Sequence, residues 1–139
     1  MITLEPLCTM TLRVSKPLDA GPALTGRRMI AEIVSAELSG RLSGHLAGTS
    51  SADWFTMSAT GIGLPDVRLA IETDDAALIL VRYFGRLRLI PDQPSIAMVA
   101  PVFETGHSQY SWLNEIQAVG KGVFSPDRTQ LDYEIYELH

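Results

Sequence analysis

Apolar residues along this chain recur at every second position in short runs, and each run is cut off by Gly, Pro or Asp. That spacing marks half-buried strands, because successive side chains of a strand point to opposite faces. Thr3 to Val14, Asp53 to Ser58, Asp66 to Thr73, Ala77 to Leu89, Ile96 to Glu104, Glu115 to Phe124 and Gln130 to Leu138 read as strands. Arg28 to Leu38 has the propensity of a helix, but Ile30, Ile33 and Val34 sit between turn clusters and the neighbouring pattern favours a strand. Lys16 to Arg27 holds Pro17, Gly21, Pro22 and Gly26 and is expected to be irregular. Gly40, Gly44 and Gly48 recur at a spacing of four among polar flanks, so bends or bulges in a strand pair are expected. Asp74-Asp75 marks a hairpin turn with Ala76 in the place of the usual Gly, and Ser125-Pro126-Asp127 marks another. Ser108 to Leu113 is expected to form one helical turn.

About eight or nine strands at hairpin spacing, with little helix, predict an all-β chain. The expected architecture is a single antiparallel barrel over residues 1–139, with a sandwich as the alternative. Closure removes exposed edges, and a barrel of about eight strands either fills with side chains or holds one small ligand. Alternation puts Val67, Leu69, Ile71 and Thr73 on one face and Asp66, Arg68, Ala70 and Glu72 on the other. In the next strand Leu78, Leu80, Arg82, Phe84 and Arg86 alternate with Ala77, Ile79, Val81, Tyr83 and Gly85. Asp66, Arg68, Glu72 and Arg82 therefore form charged rows. The plainer reading is an outer face laced with opposite charges; the sharper one is a polar cavity wall.

A formal net charge of −5 and scattered Arg residues argue against nucleic acid or an anionic membrane as partner. Cys8 is the only cysteine, which excludes an intrachain disulfide and a Cys-rich metal site and suggests a small buried hydrophobe. The N-terminus lacks the pattern of a signal peptide, and no apolar run approaches the roughly 20 residues of a bilayer span. A soluble cytoplasmic protein is expected.

Chemistry concentrates in two places. Asp53 stands beside Trp54 after a Gly/Ser-rich turn; held in a partly dry pocket it would titrate high and act as a general acid or base, and otherwise it caps a turn next to a core Trp. Phe103 to Asn114 packs Glu104, His107, Tyr110, Trp112 and Asn114 around Gly106, the composition of a ligand-binding rim. Glu104 suits a base, a hydrogen-bond acceptor or an ion-pair partner of Arg68 or Arg82. Tyr110 and Trp112 suit the walls of an aromatic site or plain packing. Asn114 suits the orientation of a carbonyl or turn chemistry. His45, His107 and His139 lack metal-ligand spacing, so no metal is expected. The nucleophile elbow, phosphate loop and dinucleotide fingerprint are absent, so no cofactor is expected.

Gly26-Arg27-Arg28, Asp53-Trp54, Asp66-Val67-Arg68, Thr73-Asp74-Asp75, Phe103-Glu104-Thr105-Gly106, Tyr110, Trp112-Leu113-Asn114 and Tyr133-Glu134-Ile135-Tyr136-Glu137 stand in an order that resembles domain-of-unknown-function family number 3237 over most of the chain. Departures at Gly40-Arg41-Leu42-Ser43-Gly44, Thr60-Gly61 and Asp75-Ala76 bear on loop shape. The resemblance implies a small barrel of the calycin or allene-oxide-cyclase-like kind, assembled as a homo-oligomer, with no settled activity. It places Asp53, Trp54, Arg68, Glu104, Trp112 and Asn114 on motif positions, and these six are expected to converge at one mouth of the barrel. Asp53 or Glu104 would move the proton and Arg68 would clamp an enolate or carboxylate. Trp54, Tyr83, His107, Tyr110, Trp112 and Asn114 would touch the ligand. The expected function is a cofactor-independent isomerase, cyclase or lyase acting on a hydrophobic or aromatic small molecule. The alternative is a non-catalytic carrier or sensor of a small apolar ligand, and a third possibility is an oligomer-forming accessory protein.

Overall fold

The computed structural model describes residues 1–139. Twelve strands and one short 3₁₀-helix make up the chain. In order they are β1 (Leu4–Val14), β2 (Leu18–Ala23), β3 (Gly26–Gly40), β4 (Gly44–Leu46), β5 (Ala52–Met57), β6 (Ile62–Leu64), β7 (Asp66–Thr73), β8 (Leu78–Arg88), β9 (Ser95–Val99), β10 (Val102–Glu104), the helix η1 (Ser108–Glu115), β11 (Ala118–Phe124) and β12 (Gln130–Leu138). All the pairings are antiparallel. The sheet runs β1–β12–β11–β9–β8–β7, continues through β5 and β4 to β3, and closes where β3 pairs with β1. The all-β barrel expected from the alternation is present, and the strand count is corrected from eight or nine to twelve.

The short strands β4, β6 and β10 account for most of the difference. β4 and β5 share the flank of the long β3, while β10 and β9 share one edge of β8, parted at Ala100-Pro101. β2 corrects the irregular reading of Lys16 to Arg27. It pairs only with β3, so Pro22 lies on an edge where a missing N–H costs no ladder bond. No helix of the chain is long and apolar enough to cross a membrane.

The period-two pattern sets inside from outside. Val67, Leu69, Ile71 and Thr73 of β7 are buried, as are Ile79, Val81, Tyr83 and Leu87 of β8. Arg68, Glu72, Leu78, Leu80, Arg82, Phe84 and Arg86 are exposed on the outer wall. The charged rows therefore follow the plainer reading and lace the outside. Cys8 is buried, and desolvation pushes its thiol up to about 12, which leaves it inert as a nucleophile.

The two ends of the barrel differ. At the end where β1 and β8 begin, η1 lies across the opening and drives Leu113, which is 0% exposed, into the core with Leu7, Leu42 and Ile79. At the end where β1 and β8 finish, the interior remains open and forms a cavity.

Candidate functional site

The interior cavity has a volume of about 190 Å³. Its walls are mostly apolar, with Met29, Phe55, Leu87, Phe124 and Leu131 prominent among them, and Asp53, Arg128 and Tyr133 supply the polar chemistry. β5 positions Asp53. There it pairs with Ala31 on one side and Val67 on the other, which turns its side chain inward. Asp53 Oδ1 accepts a hydrogen bond from the Asp66 amide at 2.9 Å. Burial pushes the carboxyl up to about 6, against the lowering effect of that amide and with a smaller push from the Asp66 charge. A carboxyl poised there exchanges a proton readily near neutral pH.

Behind this carboxyl lies a tyrosine pair. The Tyr83 and Tyr133 rings meet edge to face, with centroids 5.7 Å apart at 67°. Tyr83 donates to the Tyr133 hydroxyl across 3.5 Å, long for an O–H···O bond. Burial raises both phenols above their ordinary range, and the Asp53 charge adds to the effect, so both stay protonated. Tyr133 is on the cavity wall and its own proton meets no protein acceptor. Buried hydroxyls usually have one, so this donor is left without a partner in the chain.

Gly122, paired with Tyr133 across β11 and β12, makes room for the ring. A Cβ at Gly122 would stand 2.5 Å from Tyr133 Cε1. Gly122→Ala is accordingly expected to displace the Tyr133 ring and cost about 1–3 kcal/mol by overpacking. Denaturant unfolding, together with the aromatic NMR shifts of Tyr133, checks this.

Arg128 closes the rim. Its Nη1 donates to Ser95 Oγ at 2.7 Å and its Nη2 to the Ile90 carbonyl at 2.9 Å, and its guanidinium lies 5.4 Å from the centre of the Phe124 ring. Its backbone is left-handed, with φ 61°, a conformation that costs a non-Gly residue energy and persists only where the surroundings impose it.

Of the residues singled out from sequence, Asp53 and Tyr83 belong to this region. The expected convergence of Asp53, Trp54, Arg68, Glu104, Trp112 and Asn114 at one mouth is overturned. Trp54 follows Asp53 in the same strand and points outward, 53% exposed. Arg68 and Glu104 lie on the outer wall with Ser50, Ala70, Leu80 and Arg82, around a surface groove of about 600 Å³. Neither makes an ion pair, and Arg68 stands directly opposite Arg82.

The Phe103 to Asn114 segment lies at the opposite, plugged end, and its polar groups serve local structure. Asn114 Oδ1 accepts from the Thr105 amide at 2.8 Å, and its Nδ2 donates to the Thr105 carbonyl at 3.0 Å. Thr105 Oγ1 donates to the Leu78 carbonyl at 2.8 Å and accepts from the His107 amide at 3.1 Å. The Tyr110 hydroxyl donates to Asp75 at 2.7 Å, and the His107 ring leans on the Tyr110 ring with centroids 5.7 Å apart. Trp112 packs on the core beneath the Arg41 guanidinium, 4.7 Å away. None of these groups reaches the cavity lining.

One cluster has the composition of a metal site. The ligand atoms of Glu5, Glu137 and His139 lie within 4.8 Å of one another at the plugged end. Arg41 already answers those carboxylates, at 2.7 Å from Glu137 and 3.5 Å from Glu5. Arg41 offsets one of the two carboxylate charges, and His139 Nε2 lies 2.8 Å from Glu5.

Tyr133 and Arg128 were not singled out from sequence as site residues. The signal for Tyr133 was its alternation with Ile135 in the last strand, opposite a glycine. Arg128 carried no signal, because its place depends on how two distant turns meet.

Comparisons with known proteins agree with this architecture. A family model described as "Protein of unknown function (DUF3237)" matches residues 2–138. A UPF0311 protein of Rhodopseudomonas palustris is 30% identical over an alignment of 138 positions that covers 89% of this chain and 90% of the relative. The crystal structure of a beta-barrel like protein from Acinetobacter baumannii superposes with a TM-score of 0.90 at 26% identity, covering 100% of this chain and 97% of that one. The crystal structure of a protein described as an enzyme from Penicillium herquei superposes with a TM-score of 0.75 at 23% identity, covering 99% of this chain and 95% of that one. At that identity the likeness is one of fold.

Proposed function

The chain belongs to the DUF3237 family of proteins of unknown function, and we propose that its open-end cavity performs cofactor-independent proton transfer on a small, mostly apolar carbonyl compound. One observation carries this reading. A carboxyl pushed up to about 6 by burial shares an apolar cavity with a buried tyrosine whose proton has no protein acceptor. The two groups divide the work of an enolisation. The Asp53 carboxylate takes a proton from the carbon beside the carbonyl. The C–H electron pair becomes the C=C bond of an enolate, and the charge moves to oxygen. The Tyr133 hydroxyl donates a hydrogen bond to that oxygen, and Tyr83 supports it from behind. Where the compound carries a second C=C at the β,γ position, the enolate is a conjugated dienolate, and Asp53, now protonated, returns the proton to its γ carbon while the double bond moves into conjugation with the carbonyl. The product is an isomer, no atom or electron is gained or lost, and the carboxyl is regenerated.

The apolar walls strengthen both roles, since charge interactions are stronger where water is excluded. A donor aimed at developing charge is worth most when it is held in place before the reaction, as the tyrosine pair is. The volume of about 190 Å³ lies below the roughly 300–1,000 Å³ of sites for drug-sized ligands and suits a molecule of single-ring size.

The test is solvent exchange. In D₂O, ring ketones and enones of single-ring size are expected to gain deuterium beside the carbonyl in the presence of the protein, at a rate that rises with pH through about 6. Asp53→Asn is expected to abolish the exchange, and Tyr133→Phe to slow it by about 10²–10³-fold, as loss of one oxyanion donor does elsewhere. Compounds that bind in the cavity but never exchange would instead support a carrier or sensor.

A further inference from the structure

The cavity holds two charged side chains, Asp53 and Arg128, and they do not meet. Asp53 spends one oxygen on the Asp66 amide, and Arg128 is not among the groups that influence its ionisation. Arg128 makes no ion pair with any carboxylate of the chain. Its two hydrogen bonds go to a neutral hydroxyl and a carbonyl. A guanidinium carries five N–H donors, so most of them are uncommitted and the full positive charge is uncompensated. A cation at the rim is thus separated from the carboxyl by apolar wall.

The position of this cation is imposed by the fold. Arg128 sits in the β11–β12 turn with left-handed backbone and is tied through Ile90 to the segment between β8 and β9 and through Ser95 to the first residue of β9. Ser95 is 0% exposed, so the anchoring hydroxyl is itself held. Phe124 lies beneath the guanidinium plane. An arginine supported from behind in this way presents its remaining donors without first losing side-chain freedom.

We infer that Arg128 is the specificity-determining residue of this cavity and that the molecule taken up is a ring carboxylate. Its carboxylate rests on the guanidinium at the rim, and its apolar ring enters toward Asp53 and Tyr133. This rests on the reading of the cavity as a ligand site. It adds an anionic group to the substrate class and identifies the cation that meets it. The orientation follows from charge, since a carboxylate is repelled by Asp53 and drawn to Arg128. The reacting carbon then lies on the ring, away from the charged group.

The test reads binding alone, so it stands apart from any failure of proton transfer. Single-ring keto and aromatic carboxylic acids and their methyl esters are titrated against the protein by NMR above pH 6, where the acids are ionised. The wild type is expected to bind acids at least tenfold more tightly than the matching esters. Arg128→Gln is expected to abolish that preference by weakening the acids while leaving ester affinity within a factor of two. Arg128→Lys, which keeps the charge, is expected to retain part of the preference. Three results would overturn the assignment: a wild type that binds acids and esters alike, an Arg128→Gln variant that loses both equally, or one that keeps the full acid preference. Equal loss of both would mark Arg128 as a tie between two loops and nothing more.

Discussion

Replacing Asp53 by Asn is expected to raise the melting temperature at alkaline pH while it removes the proton exchange proposed for the cavity. Folded, the Asp53 carboxyl titrates at about 6; unfolded, it returns to its ordinary value of 3.8. Between those values the folded chain keeps a proton that the unfolded chain has released. The stability tied to that proton is fully present below pH 3.8, falls as pH rises through about 6, and is gone above it. A shift of about two units corresponds to roughly 2–3 kcal/mol. Asn cannot ionise, and its side-chain oxygen can still accept from the Asp66 amide. At pH about 8 the variant should therefore gain up to roughly 2 kcal/mol, or several degrees in melting temperature for a chain of this size. Near pH about 4 the gain should vanish. Thermal unfolding of both proteins across this range measures it. A variant less stable than wild type at every pH would show that Asp53 holds the fold together and is not a strained functional group.

This expectation expresses a general cost of function. An apolar cavity with one ionisable carboxyl is less stable than the same cavity with a neutral side chain. The chain carries Asp53 although the Asp66 amide could also donate to the side-chain oxygen of an Asn at this position. The open Tyr133 donor and the strained Arg128 backbone lie in the same region. Three local departures from the most stable arrangement thus surround one cavity of about 190 Å³. The buried carboxyl and the open donor are departures of the kind expected at functional sites, whereas left-handed backbone also occurs at Ala76 and Asp92 in other turns.

The barrel was largely legible in the sequence because a period of two encodes faces directly. The alternation in β7 and β8 separated Val67, Leu69 and Ile71 from Arg68 and Glu72, and the structure keeps that division. The hairpin at Asp74-Asp75 was legible too: Ala76 adopts φ 69°, the left-handed conformation that Gly usually supplies. β2 was missed because the tolerance of an edge strand for Pro22 depends on which neighbours it has.

The site was less legible. Asp53 stood out from its neighbours, but its pairing with Trp54 as a second wall of one pocket conflicted with strand geometry, since adjacent residues face opposite ways. Arg68 and Glu104 carried the right chemistry on the wrong face, and only strand register and closure settle which face is inside. The Phe103 to Asn114 segment has the composition of a rim. Composition cannot tell a donor aimed at a ligand from one already satisfied by Thr105.

The assignment of that segment to structure gives the second large expectation. Leu113 is 0% exposed and is the side chain that η1 drives into the barrel end. Leu113→Ala should cost about 2–5 kcal/mol, the lost transfer energy of the side chain plus the cavity left behind. That is a fall of roughly 10 °C in melting temperature. The loss should also spread beyond Leu113, since the hydrogen bonds between Asn114 and Thr105, and from Thr105 to Leu78, hold the same helix against β8. Hydrogen exchange should accordingly quicken at the start of β8 and the end of β12 and stay slow around Asp53, at the far end of the barrel. Ligand affinity at the open end, measured where the variant is still folded, should change less than threefold. A rim residue would behave the opposite way, with little change in stability and a large loss of binding. Stability loss without binding loss therefore separates a stopper at one end of the barrel from a site at the other.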